Sequence, residues 1–264
     1  MDQGLSGTRK LAINRLSKSF GGLEALRGIT VAIERGEFIA VVGPSGCGKT
    51  TFLRIVAGLE AASSGEVLLD GRAVRKPGTD RGFVFQSDNL LPWRSVFGNA
   101  MIGPELAGDT GPEQRRRIME LLKLVGLEGF EGYYPRQLSG GMRQRVNLAR
   151  ALAIDPEILL MDEPFAALDA QTREIMQAEL LRIWERGQKT VLFVTHQIDE
   201  AVFLSDRVLV FARRPGRLQA EIAIPLGRPR SLQVKRTAEF VGLVDRIWRM
   251  IEDDVRAAAL YENA

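Results

Sequence analysis

A stretch of nine residues carries the most specific chemistry in this sequence. It fits G-x-x-x-x-G-K-[ST], the pattern of a phosphate-binding loop. The loop residues are Gly43, Pro44, Ser45, Gly46, Cys47, Gly48, Lys49, Thr50 and Thr51. Glycines let the backbone curl so that successive N–H groups point at phosphate oxygens, and a helix that begins at the loop adds its positive end. The pattern predicts a nucleoside triphosphate site in which Lys49 bridges the β- and γ-phosphates and the Thr50 hydroxyl binds Mg²⁺.

Two adjacent carboxylates, Asp162 and Glu163, come directly after the apolar run at residues 158–161. A buried strand that ends here would deliver both side chains to its carboxyl end, where α/β folds bind ligands. Asp162 suits the coordination shell of Mg²⁺. Glu163 is placed to act as a general base on a water that faces the γ-phosphate, a role worth about 10²–10⁴-fold in rate. The alternative is a strand end that carries two solvated acids.

A second candidate anion site lies at the start of another helix. Ser139, Gly140 and Gly141 precede a helix whose apolar positions include Val146 and Ala149. Backbone N–H groups at such a helix start can bind an anion. Because one nucleotide needs only one phosphate loop, this stretch suggests a site built from two surfaces. The alternative is an ordinary serine N-cap.

The composition is typical of a globular protein. The chain has 264 residues, of which 45% are hydrophobic and 26% are charged, with a net charge of +3. That charge is too small to indicate a nucleic-acid partner. No apolar stretch reaches the ~18 residues of a membrane helix, and the first residues lack a hydrophobic targeting segment. The only cysteine, Cys47, excludes an internal disulfide and a cysteine-cluster metal site, so we expect a reducing, cytosolic location.

Strands and helices must position these chemical groups. The run Phe38–Val42 predicts a buried parallel strand before the phosphate loop. Apolar residues at i, i+3, i+4 and i+7, from Phe52 to Leu59, predict an amphipathic helix after it. Short alternating segments within residues 11–37 and 66–71 predict an antiparallel layer.

The rest of the chain predicts a second type of region and then a return to strands. Residues 87–157 carry helical patterns and lack strong strands, which indicates a helical insertion. Apolar strands then alternate with helices, at residues 158–161, 190–194 and 207–211. The predicted fold is therefore α/β, with a mainly parallel sheet that leads into the phosphate loop, an antiparallel β subdomain and an inserted α-helical subdomain.

Six motifs in chain order resemble those of the ATPase subunits of ABC transporters. They are the Walker A loop at residues 43–51, Gln86 of the Q-loop, the signature at 138–144, the Walker B strand at 158–163, the D-loop at 167–169, and His196, the only histidine, as the switch histidine. The resemblance covers about residues 10–225. It implies a P-loop NTPase fold with a RecA-like core, and ATP hydrolysis with Mg²⁺. We expect an ATPase domain over 10–230, with a helical subdomain at about 87–157, and a C-terminal helical extension over 231–264.

The resemblance also implies a role for each site residue. Phe20 would stack on adenine, a contact worth about 1–3 kcal/mol. Gln86 would join Thr50 and Asp162 as Mg²⁺ ligands, and His196 would contact the γ-phosphate, sharing catalysis with Lys49 and Glu163. The family forms a head-to-tail dimer, so a second copy of this chain would complete each nucleotide site. The residues that would act in trans are Ser139, Gly140, Gly141 and Asp169.

Several stretches are similar to the ATPases of nitrate, sulfonate and taurine importers. They are residues 91–93, 162–165, 169–173, 198–202 and 214–216. Two residues depart from that pattern: Ala166 stands where glycine is common, and Gln197 where aspartate is common. The likeness implies integral membrane permease subunits that contact residues 90–96. It further implies a periplasmic or extracellular solute-binding protein acting through the permease, and a peripheral location at the cytoplasmic face of the inner membrane.

Two other functions compete with the importer hypothesis. A soluble ABC-type ATPase of repair or translation would carry a long coiled-coil insertion or a second cassette, and the sequence shows neither. A GTPase-like nucleotide switch would carry the guanine-recognising Asn-Lys-x-Asp, which is absent, and would leave residues 138–145 unexplained. The importer ATPase is therefore the leading hypothesis.

Overall fold

The computed structural model describes residues 9–213 and 215–262. Residue 214 of the stretch at 214–216 and the last two residues of the predicted extension lie outside the described residues. The chain divides into two compact units: a central unit, Thr79–Gly187, and a flanking unit made of the residues before and after it. In the described ranges, no helix combines the length and the hydropathy needed to cross a bilayer.

Ten strands and eight α-helices make up the described regular structure. The strands are β1 (Arg9–Phe20), β2 (Leu23–Glu34), β3 (Phe38–Val42), β4 (Ser64–Leu69), β5 (Arg72–Ala73), β6 (Arg81–Val84), β7 (Ile158–Asp162), β8 (Thr190–Val194), β9 (Arg207–Ala212) and β10 (Arg217–Ala223). The helices are α1 (Lys49–Ala57), α2 (Val96–Ala100), α3 (Ile102–Leu106), α4 (Pro112–Leu124), α5 (Gly140–Leu152), α6 (Ala170–Gly187), α7 (Ile198–Leu204) and α8 (Ala238–Glu262). Short 3-10 helices lie at Pro135–Gln137 and Leu232–Arg236.

The flanking unit contains the predicted antiparallel layer, with strand order β2-β1-β4-β5. Strand β1 pairs antiparallel with both β2 and β4. The β4–β5 turn is Asp70-Gly71, and both residues have a positive φ (46° and 75°). A type I′ turn has a positive φ at both central residues, and its twist matches that of the two strands it joins. Asp and Gly tolerate this conformation, so Asp-Gly predicts a hairpin. The prediction of an antiparallel layer is confirmed.

The flanking unit also contains the strand before the phosphate loop. Strand β3 pairs in parallel with β8 on one side and β9 on the other, and β10 pairs antiparallel with β9. Every residue of β3 and β8 is buried, as expected for parallel strands with both faces covered. The Phe38 and Phe193 rings pack with centroids 5.9 Å apart. The predicted buried strand is confirmed.

The helix after the phosphate loop is shorter than predicted. Phe52, Ile55 and Val56 are buried, as the periodicity indicates. Gly58 then takes a left-handed conformation (φ 75°), and its N–H donates to the Arg54 and Ile55 carbonyls, which closes the helix. Leu59 therefore lies beyond α1 and is 48% exposed, so its placement on the buried face is wrong.

The C-terminal extension is helical in its described part, with a 3-10 helix followed by α8. Helix α8 packs against α7 and β9 within the flanking unit. Phe240, Ile247 and Ile251 on this helix are buried, but Trp248 is 41% exposed. Three turns of α8 therefore share one packed stripe, and Trp248 lies at its exposed margin.

The central unit combines two parallel strands with helices. Strand β6 pairs with β7 along four residues, from Arg81↔Ile158 to Val84↔Met161. Between these strands the described chain forms only helices and loops, as predicted for residues 87–157. Helix α5 lies at the centre and packs against α2, α4, α6 and β6. The α/β class with an inserted helical region is confirmed.

Candidate nucleotide-binding site

The phosphate loop of the flanking unit requires glycine for steric reasons. A Cβ at Gly43 would lie 2.5 Å from the Phe211 carbonyl oxygen and 2.9 Å from the Cys47 Sγ. Gly48 has a φ of +92°, and a Cβ there would lie 2.6 Å from the Leu26 Cδ2. Real Cβ atoms do not approach other atoms this closely. The backbone of the loop therefore packs directly against β2 and β9.

Lys49 places its charge inside the curl of the loop. Its ammonium donates to the Gly43 carbonyl at 2.8 Å and to the Pro44 carbonyl at 3.1 Å, and the residue is 6% exposed. Carbonyl oxygens accept these hydrogen bonds without carrying a full negative charge. The inside of the loop is therefore positive, which suits a phosphate group.

The first turn of α1 adds to this positive character. Gly48 is the N-cap and has no side chain that could cap the helix, and the first turn contains no acidic residue. The partial positive charge of the helix start is therefore not offset by a local carboxylate. Thr50 and Thr51, half-buried in this turn, are placed at the helix end that binds anions.

The Cys47 side chain packs into the protein. The residue is buried, and its Sγ lies 3.9 Å from the Lys49 Nζ. Burial raises the pKa of the Cys47 thiol, and the nearby Lys49 charge only partly offsets this effect. The thiol therefore stays neutral at pH 7. Cys47 was predicted to contact ATP, and that contact remains a prediction.

Phe20 is the last residue of β1 and is 46% exposed. The Lys18 Nζ lies 4.6 Å from the centroid of its ring and is held there by hydrogen bonds to the Glu60 carboxylate and the Ala61 carbonyl. A partly exposed ring at a strand end can stack on a flat ligand. This geometry fits the predicted adenine contact better than a core position would.

His196 follows β8 and is exposed. The Thr195 N–H donates to the Val41 carbonyl at 3.1 Å, which ties the residue before His196 to the strand that feeds the phosphate loop. The Thr195 hydroxyl donates to the buried Glu200 and accepts from the Gln197 N–H. The turn at His196 is therefore held from both sides. We did not predict roles for Thr195 and Glu200. The available signal was a threonine directly before His196 and an acid four residues after it, close enough for a hydrogen bond between them.

The central unit brings Gln86 and Glu163 together. The Gln86 Nε2 lies 3.5 Å from the Glu163 Oε2. Asp162 is the last residue of β7 and is 6% exposed. Glu163 has a φ of 45°, an uncommon conformation for a residue with a side chain. The chain therefore turns sharply after Asp162, so the two acids need not point in opposite directions as successive strand residues do.

The other predicted residues of the central unit lie at the starts of α5 and α6. Ser139 caps α5 by accepting the Met142 N–H at 3.3 Å, and its own O–H can still donate to a ligand. A Cβ at Gly141 would lie 2.8 Å from the Thr172 Cγ2, so the two helix starts touch. Asp169 caps α6 by accepting the Thr172 N–H at 3.0 Å, and this bond lowers the pKa of the Asp169 carboxyl.

The described residues contain no group of three or more His, Cys, Asp or Glu side chains that could hold a metal ion. The predicted Mg²⁺ ligands Thr50, Gln86 and Asp162 offer a hydroxyl, an amide and one carboxylate. Mg²⁺ keeps several waters and takes few protein ligands when phosphates are present. The predicted ligands therefore fit this metal in type.

Known proteins resemble the chain over most of its length. Residues 26–166 match the protein family described as ABC transporter. A taurine import ATP-binding protein of Rhizobium johnstonii is 49% identical, covering 86% of this chain and 88% of its own length. A nitrate import ATP-binding protein of Synechocystis is 45% identical, with 90% and 93% covered. A dimeric structure of a post-hydrolysis ATP-binding cassette bound to ADP and Pi has a TM-score of 0.71 and 33% identity, covering 82% of this chain and 100% of its own.

Proposed function

Because the chain belongs to the ABC transporter family of ATP-binding proteins, we propose that it hydrolyses ATP to power a membrane importer. The cargo is a small solute such as nitrate, a sulfonate or taurine, as named for the relatives. The main observation that supports ATP binding is the Lys49 ammonium, which is buried inside the phosphate loop. At Gly43 and Gly48 of this loop there is no space for a side chain.

We assign the chemistry to a small set of side chains. Lys49 holds the β- and γ-phosphates. Glu163 accepts a proton from the water that attacks the γ-phosphorus, and ADP and inorganic phosphate leave. Mg²⁺, bound through Thr50, Gln86 and Asp162, would neutralise phosphate charge. The 3.5 Å approach of the Gln86 amide to the Glu163 carboxylate supports this assignment, since it holds the two assigned side chains next to each other.

His196 and Phe20 complete the assignment in the flanking unit. His196, exposed after β8, contacts the γ-phosphate and reports its loss. Phe20, 46% exposed, stacks on adenine. The support for His196 is its fixed turn, because Thr195 and Glu200 leave the backbone there little freedom.

The working form is a head-to-tail homodimer. Ser139, Gly140, Gly141 and Asp169 of one copy act on the nucleotide that the other copy holds. The similar solved cassette is dimeric and bound to ADP and Pi, which supports this arrangement. ATP closes the dimer, and hydrolysis followed by product release reopens it.

The dimer works beneath integral membrane permease subunits at the cytoplasmic face of the inner membrane, and a periplasmic or extracellular solute-binding protein delivers cargo to the permease. We assign the permease contact to residues 90–96. Trp93 in this segment is 71% exposed, which suits a surface that a partner covers. Nucleic acid has no part in this function.

The test uses the purified full chain with ATP and Mg²⁺. We expect phosphate release by the wild type and a loss of about 10²–10⁴-fold in Glu163→Gln, with ATP affinity retained. A Glu179→Gln variant, altered at a partly exposed acid of α6 that pairs with Arg182, controls for the charge change and keeps the wild-type rate. Hydrolysis by Glu163→Gln within threefold of wild type would remove Glu163 from the mechanism. Absence of ATP binding by the wild type would overturn the proposed function itself.

A further inference from the structure

One face of α5 carries polar side chains directed at the loop after β6. These four residues, spaced at i, i+1, i+4 and i+7, form what we call the clamp face. They are Arg143, Gln144, Asn147 and Arg150. The loop they contact is residues 85–89, about 60 positions earlier in the chain, and contains Gln86. Sequence reasoning placed Arg143 and Gln144 in the signature motif at residues 138–144 but assigned no contact to any residue of the clamp face.

The buried part of the clamp face holds the first two loop carbonyls. Asn147, which is 0% exposed, donates to the Phe85 carbonyl at 3.2 Å and to the Gln144 Oε1 at 3.2 Å. Gln144, 5% exposed, donates in turn to the Gln86 carbonyl at 3.3 Å. The two amides thus orient each other, and the main chain at Gln86 is fixed by a buried donor.

Two arginines hold the rest of the loop. Arg150 donates to the Asn89 carbonyl at 2.8 Å and to the Asp88 carbonyl at 2.9 Å, and also to the Asn147 Oδ1 at 2.8 Å. Arg143 donates to the Asp88 carboxylate at 2.8 Å. Asn89 has a φ of 46°, a left-handed conformation that asparagine tolerates better than most residues. The loop also has two local hydrogen bonds, from the Ser87 hydroxyl to the Asn89 Oδ1 and from the Leu90 N–H to the Asp88 Oδ1, but its carbonyls at 85, 86, 88 and 89 are held by the clamp face.

The contacts connect two functional groups through one helix. Ser139 caps the start of α5, and the clamp face begins four residues later. The Gln86 amide lies 3.5 Å from the Glu163 carboxylate. A shift of α5 would therefore carry the loop with it and change the approach of Gln86 to Glu163.

We propose that the four residues of the clamp face are positioning residues, which hold Gln86 against Glu163 and link that pair to the Ser139 end of α5. The inference rests on the proposed ATPase function and goes beyond it. When Ser139 contacts the nucleotide held by the other copy, α5 takes a defined position. The contacts of the clamp face then set the position of Gln86 relative to Glu163. The clamp acts on turnover after ATP has bound.

A matched pair of substitutions on α5 tests the clamp. Arg150→Lys keeps the charge but removes the guanidinium fork that holds two loop carbonyls. Arg145→Lys makes the same change on the same helix, at a residue whose guanidinium donates to the Val125 carbonyl and not to the loop. We expect kcat for ATP to fall about tenfold or more in Arg150→Lys and to stay within twofold in Arg145→Lys. The ATP dissociation constant stays within twofold in both.

Hydrogen exchange and a second substitution separate positioning from folding. Exchange at residues 86–90 should rise in Arg150→Lys and not in Arg145→Lys, at a temperature well below the Tm of either. Asp88→Ala, at a half-exposed residue, removes the Arg143 contact and a long 3.4 Å hydrogen bond from the Leu90 N–H, and it should lower kcat about threefold with an unchanged Tm. This variant carries the test if Arg150→Lys does not fold.

The outcomes are distinct. The clamp is overturned if Arg150→Lys leaves both kcat and hydrogen exchange unchanged. If only Asp88→Ala folds, an unchanged kcat in that variant overturns it. The proposed function stands in either case. Equal loss of kcat in Arg150→Lys and Arg145→Lys would also overturn it, because the effect would then belong to the helix in general. A wild type that binds no ATP would instead mark the failure of the proposed function.

Discussion

The phosphate loop of the flanking unit and the Gln86 loop of the central unit are both irregular backbone that follows a parallel strand, but different contacts shape them. The phosphate loop is shaped by its own residues, because Lys49 binds carbonyls five and six positions earlier and Gly48 supplies a positive φ. The Gln86 loop has no glycine and is held by side chains of α5, 58 to 62 positions away.

This difference separates binding from turnover. A change in the phosphate loop acts directly on the groups assigned to ATP. A change on α5 leaves Gln86 and Glu163 in the sequence and alters only how they meet. We therefore expect substitutions in the first region to change affinity and substitutions in the second to change rate or stability.

The largest effect is expected at Lys49. Lys49→Ala removes the ammonium group that lies inside the phosphate loop. Charge-assisted hydrogen bonds to phosphate are among the strongest hydrogen bonds in proteins. We expect the ATP dissociation constant to rise about 10³-fold, roughly 4 kcal/mol, by equilibrium titration. Lys123→Ala, at a surface lysine paired with Glu128, should change nothing. A loss below tenfold at Lys49 would mean that backbone donors dominate binding.

The second effect concerns the segment that continues from the Gln86 loop. Asn99 is 0% exposed; it accepts the Leu91 N–H and donates to the Leu91, Arg94 and Ser95 carbonyls. Asn99→Ala removes the side-chain partner of the Leu91 N–H and of the Arg94 carbonyl, while the Leu91 and Ser95 carbonyls keep backbone partners. We expect a loss of about 3 kcal/mol in unfolding free energy, by urea titration. Asn14→Ala, at an exposed pair with Glu66, should cost less than about 0.5 kcal/mol. Equal losses would show that side-chain support of this segment is unimportant.

These two regions also show what can be predicted from sequence. The phosphate loop, β3, the Asp70-Gly71 hairpin and the apolar strands depend on neighbours in the chain, and the sequence predicts them. The clamp face depends on which helix face meets a loop about 60 positions away, and spacing alone does not encode that. The end of α1 at Gly58 was predictable in principle, because glycine often ends a helix. The apolar periodicity, which continues to Leu59, pointed to a longer helix.

A third, smaller effect is expected from Gly48→Ala. The new Cβ would meet the Leu26 side chain at 2.6 Å, in a conformation that alanine disfavours. We expect ATP affinity to fall about 30-fold, roughly 2 kcal/mol, by the same titration. Gly22→Ala is the matched control, since no atom lies within 4 Å of a Cβ there. An unchanged affinity in Gly48→Ala would contradict a glycine-dependent loop.

The smallest effect is expected at Phe20. Phe20→Ala removes the ring assigned to adenine stacking, and ATP affinity should fall about tenfold, roughly 1.4 kcal/mol. Leu23→Ala controls for exposed apolar area, because Leu23 pairs with Phe20 across β1 and β2 and is 56% exposed. Equal affinity in both variants and the wild type would leave Phe20 without a role in binding.

The central claim is that each nucleotide site takes residues from two copies of the chain, and mixing two inactive variants tests it most directly. Lys49→Ala disables the phosphate loop, and Ser139→Arg blocks the surface that acts in trans. In a head-to-tail dimer of one copy of each, one site carries both defects and the other carries none. We expect mixing to restore ATP hydrolysis. With random pairing about half of the dimers are mixed and each has one intact site of two, so the rate should reach up to about a quarter of the wild-type rate. A mixture no more active than the sum of the separate variants would contradict it.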